Sequence, residues 1–450
     1  MNIKPAIVLL SLAAVIASCC QTPKATRILK GIHAPAFRAA DYAPAAGNDF
    51  RASLNEAIRH CSEEGGGRVV VPAGEHECNG PIILLSHVDL HLERDARIVF
   101  GSDTRSYLPA VLTIFEGTEL YNYSPLIYAF EAEDIAITGE GVLDGRASLS
   151  FAQFRPQRSA QQDTLRQMGI DGVPVEKRCF GERSILPPSM IQPFGCRNVL
   201  IEGVTILDSP YWVIHPVLCD NVTVRGVNIS SYNLNNDGCD PEYTSNVLIE
   251  DCTFDCGDDA IAIKAGRDQD GWRVGVPTRN ILIRNCRFNS KCNGLCIGSE
   301  MSAGVENVMA ENISIGACHS AIYFKSNLDR GGYIRNVHVK DIVCDTVRTA
   351  FIRFETAYHG ARGGHHPTTF DNFIVENIHG RASGQCGFYA VGIEDKTLGR
   401  ILLKDVDLER APEPYVLRYA DDVEFRNVRI SGRKMDRRPS ETESSKLRTF

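Results

Sequence analysis

The chain of 450 residues has no broad basic field: 48 Lys and Arg against 56 Asp and Glu leave a net charge of −8, which argues against general nucleic-acid binding. It has no Cys-x-x-Cys pair, so the commonest zinc frameworks are excluded and we assign no metal and no cofactor. Nor is there a long apolar run; the one conspicuous stretch, residues 6–17, falls short of the roughly 20 residues a spanning helix needs. What is present is core material. Apolar residues make up 43% of the chain, and 38 Gly with 21 Pro mark neither a collagen nor a disordered polymer.

Lys4, the apolar run and the small residues before Cys19 follow the order of an export signal, and its end resembles a bacterial lipobox. We therefore expect a signal over residues 1–18, lipid on Cys19, a tether over 19–46, a catalytic solenoid over 47–432 and a charged, frayed tail over 433–450. Such a protein would sit on the cell envelope as a monomer and meet the membrane only through its lipid. Simple cleavage and secretion is the alternative, since Cys20 stands beside Cys19. Fourteen cysteines follow, and an oxidising compartment permits disulfides among them without requiring any. Cys252 in EDCTF and Cys286 in RNCRF hold equivalent places 34 residues apart and read as stacked small hydrophobes.

The middle of the chain repeats one phrase: Asn, then apolar residues alternating in period two, a polar or small pair, and alternation again. Clear copies carry Asn198, Asn221, Asn246, Asn280, Asn307 and Asn336, and weaker ones begin at Asp134, Asp371, Gly399 and Asp422. One such unit cannot bury its apolar face alone, whereas units stacked at the strand spacing of roughly 4.8 Å form a continuous interior. The expected fold is all-β, a parallel β-helix. Asn suits its corners because it tolerates left-handed backbone geometry and can bond to the next coil. Residues 53–61 have helical spacing and end at Gly65-Gly66-Gly67, which predicts a short helix capping the open end of the stack. Residues 147–183 lack the repeat and read as an excursion beside a cleft.

Three acids interrupt the repeat in Gly-flanked stretches: Asp237 in NNDGCD, and Asp258 with Asp259 in CGDDAIAIK. Their distances from the Asn markers place them on one side of adjacent coils, with Cys292 and Lys325 continuing the column. Crowded carboxylates repel, which raises at least one pKa and lets acid and base coexist. Glycosidic hydrolysis needs that arrangement; an inverting enzyme holds its acid and base carboxyls about 6.5–9.5 Å apart to leave space for water, whereas about 5 Å would indicate retention. Neighbouring strand residues face opposite ways, so Asp258 and Asp259 share a cleft only if the backbone bends at Gly257. A calcium site or plain surface acids stay open on this reading.

At these residues, and in GGGRVVVPAG (65–74), SPYWVIHP (209–216), NNDGCDPE (235–242), CNGLCIGSE (292–300) and YFKSNLDRGG (323–332), the sequence resembles the polygalacturonases of glycoside hydrolase family 28. The resemblance implies a right-handed solenoid and metal-free, inverting hydrolysis of α-linked galacturonic acid in pectin. It assigns Asp258 as general acid, Asp237 and Asp259 as the pair positioning water, and Lys325 as the cation for a galacturonate carboxylate. It places Asn235 in the substrate cleft. Two positions depart from the family pattern: Cys292 stands where a His is common, and Tyr323 where an Arg is common. Losing a guanidinium there predicts altered sugar recognition, so a branched or rhamnose-containing fragment is a candidate substrate beside homogalacturonan.

Trp272 in the loop 265–278 is a candidate for stacking on a sugar, and equally for a loop anchor. Tyr358 and Arg362, in a His-rich loop with His359, His365 and His366, are expected to touch substrate, whereas His215 is expected to be structural. These long loops predict a partly closed pocket and attack from a chain end. The rivals are a non-catalytic β-helix binder or adhesin, and a calcium-dependent pectate lyase.

Overall fold

The computed structural model describes residues 22–45 and 49–442; Cys19 and the predicted signal lie outside them. The chain winds into a right-handed parallel β-helix. The repeat sets its register. Ile135 pairs with Val199, then Val222, Val247, Ile281, Val308, Val337, Phe373, Ile401 and Val423, so the first apolar position of every copy, the weak ones included, forms one inward column. Further up, Phe324, Phe354 and Phe388 continue the buried interior, with successive rings 5.1 and 6.0 Å apart.

The corner asparagines do what their type allows, with one difference in detail. Asn198, Asn221, Asn246, Asn280, Asn307, Asn336 and Asn372 all have φ between 55° and 60°. From Asn246 upward they bond to each other rather than to corner amides: the Nδ2 of Asn280 donates to Asn246, Asn307 to Asn280, Asn336 to Asn307 and Asn372 to Asn336, over 2.8–3.2 Å, while lower down Asn246 donates to Asp220 and Asn198 to Asp134. A second sheet carries the strands Ile261–Ile263, Asn293–Ile297, Ser320–Lys325, Ala350–Glu355, Cys386–Val391 and Glu413–Arg418. Below Ile261 this sheet lapses into single bridges, Ile214 to Cys239 to Ile261 and Val217 to Glu242 to Lys264.

The cap begins three residues before the predicted start. After α1 (Ala25–Leu29), α2 (Phe50–Glu63) is capped by Asp49, whose carboxylate accepts from the Ala52 amide, and buries Leu54, Ala57, Ile58 and Cys61. Gly66 closes it at φ 94°, where a Cβ would lie 2.5 Å from the His87 carbonyl. The excursion holds α3 (Ser159–Ile170), and the loop after Lys264 holds α4 (Asp268–Val274). All fourteen cysteines after Cys20 are free thiols.

Two stretches are more ordered than their composition suggests. Residues 22–45 are strapped along the solenoid: Ile28 packs on Leu248, Leu282 and Met309, and His33 exchanges two hydrogen bonds with Asn221. The tail expected to fray is folded back as far as Thr442. Phe425 donates to the Arg437 carbonyl, and the Thr442 amide donates to Leu417 at 2.9 Å. Backbone pairing with the last coil satisfies groups that charge patterning alone assigns to solvent.

Candidate active site

A cavity of about 300 Å³ opens on the second sheet where its ladder lapses. Asp237, Asp258, Asp259, Lys325, Asn235, Tyr358 and Arg362 all line it, as the sequence predicts. Gly257 permits the bend between Asp258 and Asp259, because a Cβ there would lie 2.2 Å from the Asn233 carbonyl oxygen.

The three acids have distinct surroundings. Both oxygens of Asp259 are engaged: Oδ1 accepts from the amide and side chain of Asn293 at 3.0 and 2.7 Å, and Oδ2 meets Lys325 Nζ at 2.9 Å. Burial would raise its pKa, but Lys325 and Lys264 outweigh that and hold it below the usual carboxylate range. Burial pushes Asp258 above that range, and Asp259 adds to the push against the opposing Lys325. Asp258 accepts from Asn235 Nδ2 at 3.4 Å and its backbone carbonyl accepts from Ser290. Burial, then Asp240 and Asp258, drive Asp237 well above the usual range; its Oδ1 is buried with no hydrogen-bond partner among the described residues. The surroundings therefore pull the proton affinities of two adjacent acids apart, Asp258 upward and Asp259 downward.

An oxygen of Asp258, one of Asp259 and the Cys292 sulfur lie within 4.8 Å of one another. The closest approach of Asp258 to Asp259 is thus shorter than the spacing expected for an inverting acid and base. The trio fits a divalent cation poorly. Lys325 already neutralises Asp259, and burial, then Asp258 and Asp259, push the Cys292 thiol up into its neutral form. Calcium also prefers a cage of oxygens.

Three predicted substrate contacts need correction. Tyr323 is 2% exposed, does not line the cavity and donates its hydroxyl to Glu355. Tyr358 covers it from the cavity side and Arg353 lies 4.5 Å from its ring, so an outward-facing strand residue is hidden by its neighbours. Cys292 sits behind Asp258, its thiol bonded to that carboxylate, outside the cavity lining. Trp272 is an anchor: its Nε1 donates to the Arg330 carbonyl at 2.8 Å and its ring meets His366 edge-on. Of the loop histidines only His359 lines the cavity, while His365 pairs with Asp395. His215 is fully buried, 2.9 Å from Glu242, in the structural role predicted for it.

The sequence reading missed the wall opposite the acids. Glu116, on the hairpin formed by Val111–Phe115 and Thr118–Asn122, accepts from the Tyr211 hydroxyl at 2.7 Å and pairs with Arg166 of α3 and with Arg267. Arg267 continues to Glu300 at 2.6 Å, and Glu300 to Lys264 at 3.2 Å and Arg330 at 3.4 Å. Burial would raise Glu116, but Arg166 and Arg267 hold it down at about 2. Tyr211, Lys264, Glu300 and Arg330 stand inside motifs already noted for the resemblance, and Arg267 lies three residues beyond one of them. Glu116 and Arg166 carry no such signal. Above this wall Arg362 reaches Asp163 of α3 at 3.1 Å, joining the His-rich loop to the excursion.

The sequence pattern of the Glycosyl hydrolases family 28 matches residues 176–428. A "Probable polygalacturonase" of Vitis vinifera is 29% identical over 342 residues, covering 74% of this chain and 64% of the relative. An "Exo-poly-alpha-D-galacturonosidase" of Dickeya chrysanthemi is 24% identical, covering 72% and 58%. The chain thus spans between half and two-thirds of the length of the first curated relatives it matches. Among solved structures, a hyperthermoactive exopolygalacturonase from Thermotoga maritima is 38% identical with a TM-score of 0.88, covering 91% of this chain and 96% of the other. The family 28 exopolygalacturonase of Yersinia enterocolitica, at 19% identity and a TM-score of 0.69, shares the fold.

Proposed function

Because the chain belongs to the glycosyl hydrolases family 28, we propose that it cleaves α-galacturonosyl linkages of pectin from a chain end, with inversion. The observation that carries this reading is the contrast between adjacent acids: Lys325 Nζ pairs with Asp259 at 2.9 Å and lowers its pKa, while burial raises that of Asp258. In this mechanism Asp258 delivers its proton to the leaving glycosidic oxygen. Water attacks the anomeric carbon from the other face, held by Asp237 at the cavity wall and deprotonated by Asp259. The three donors on Asp259 blunt it as a nucleophile toward carbon, which favours attack by water over a covalent intermediate.

Lys325, Arg330 and Arg362 supply cations for a uronate carboxylate inside the cavity. The Glu116 hairpin, α3 and the His-rich loop wall one end, which suits a chain terminus better than a passing polymer. The test is a digest of homogalacturonan and of rhamnose-containing pectin, with and without chelator, followed by anomer-resolved NMR. Monogalacturonate or a short uniform product, born as the β anomer and insensitive to chelator, is expected. Unsaturated products, the α anomer, or no cleavage of either substrate would overturn the reading. We further propose that the protein is exported and lipid-anchored through Cys19. A Cys19→Ser chain still found in the membrane fraction, and wild type taking up no labelled lipid, would end that proposal.

A further inference from the structure

We infer that a second groove, around the corner from the active-site cavity, binds a distal uronate-bearing unit of the leaving polymer. It measures about 350 Å³ and is lined by Tyr232, Lys291 and Arg348 together with Asp255 and Asn289. This inference rests on the reading of the cavity as a chain-end glycosidase and goes beyond it by assigning a place to sugar the cavity cannot hold.

Four observations carry it. The groove lies on the side of the acid: Lys291 directly precedes Cys292, whose thiol bonds to Asp258, and Ser290, which lines the groove, donates to the Asp258 carbonyl. A general acid stands where the bond to the leaving group breaks, so polymer departing past Asp258 is directed toward this side, away from the Glu116 wall. Second, Tyr232 is 46% exposed, with Lys291 Nζ 4.8 Å from its ring centroid, a flat apolar face flanked by a cation. Third, Lys291 and Arg348 are exposed, and among the described residues neither meets a carboxylate at ion-pair distance; Arg348 donates to the Lys291 carbonyl, which holds the two cations on one rim. Fourth, the one acid lining the groove is already engaged, since Asp255 accepts from the Tyr232 hydroxyl and from Asn289 Nδ2 at 3.0 Å. Two unpaired cations beside an exposed ring suit a sugar ring that carries a carboxylate. They do not suit a neutral sugar, which would make no use of them.

The test compares substrate length on the full chain. A Lys291→Ala/Arg348→Ala double variant and a Tyr232→Ala variant are assayed on digalacturonate and on polygalacturonate across a range of salt. On the polymer, KM is expected to rise about fivefold with kcat retained, in line with the loss of exposed charge contacts. On the dimer, KM should stay within a factor of about two, and the polymer KM of the double variant should lose most of its salt dependence. Equal effects on both lengths, or none on either, would overturn the groove. Calorimetry with a saturated oligogalacturonate on the same proteins keeps the two readings apart. Binding that depends on Tyr232, Lys291 and Arg348 in a protein that cleaves nothing would leave the groove standing and remove the hydrolase. Cleavage with length-independent constants would do the reverse.

Discussion

The upper coils and the coils at the cavity are built from one repeat and differ in almost everything that follows. Above Gly304 the strands Val305–Cys318, Tyr333–Val347 and Thr369–Ser383 pair without interruption, and their interior is apolar. At the cavity the second sheet thins to isolated bridges, and the interior holds ionised or partnerless groups, including Asp237 Oδ1 and both oxygens of Asp240. A buried polar group without a partner costs about 1–3 kcal/mol. The regular coils offset that cost, so stability and chemistry occupy different rungs of the same ladder.

Substitutions can break that division if it is wrong. The largest effect is expected from Asp258→Asn, which should lower kcat about a thousandfold and leave the melting curve nearly unchanged. Near-full activity would remove Asp258 as the acid. Phe388, fully buried two coils above the Lys325 level, should behave in the opposite sense. Phe388→Ala should cost about 3–5 kcal/mol in denaturant unfolding while the folded fraction keeps its kcat.

Lys325→Met should lower kcat/KM about a hundredfold, comparable to deleting a positioned charge donor, and should move the pH profile. Activity needs Asp259 ionised and Asp258 protonated. It is therefore lost on the acid side as pH falls through the depressed Asp259 value, and on the alkaline side as pH rises through the raised Asp258 value. Lys325 lowers both groups, so its removal should shift both limbs to higher pH; limbs that stay put would separate Lys325 from the proton balance. The smallest effect sharpens the stability side. Asn336→Ala breaks two rungs of the side-chain ladder and places alanine at φ 56°, which should cost about 2 kcal/mol in unfolding and nothing in KM.

The coils were legible in the sequence because each needs an Asn at a left-handed corner and apolar residues in strict alternation behind it. Asp237, Asp258 and Asp259 were legible because they stand against that pattern. Alternation tells which way a strand residue faces but not what later covers it, and Tyr323 faces outward only to be sealed by Tyr358 and Arg353. Its burial beside Lys325 and Arg353 means that Tyr323→Arg would crowd a third cation into one pocket instead of restoring a sugar contact. Glu116 and Arg166 were illegible for another reason. They come from a hairpin and a helix whose position depends on packing against distant coils, and the repeat says nothing about either.

The strap over residues 22–45 has a mechanical meaning. Ile28 is pinned beside Leu248, Leu282 and Met309, halfway up the stack, with Gly31 so close to Asn246 that a Cβ would lie 2.8 Å from its Oδ1. Anything that holds this protein by residues upstream of the strap grips it at the waist. Pulling there loads the strap in shear against several coils at once, and the cap at the base is not the first part to peel away.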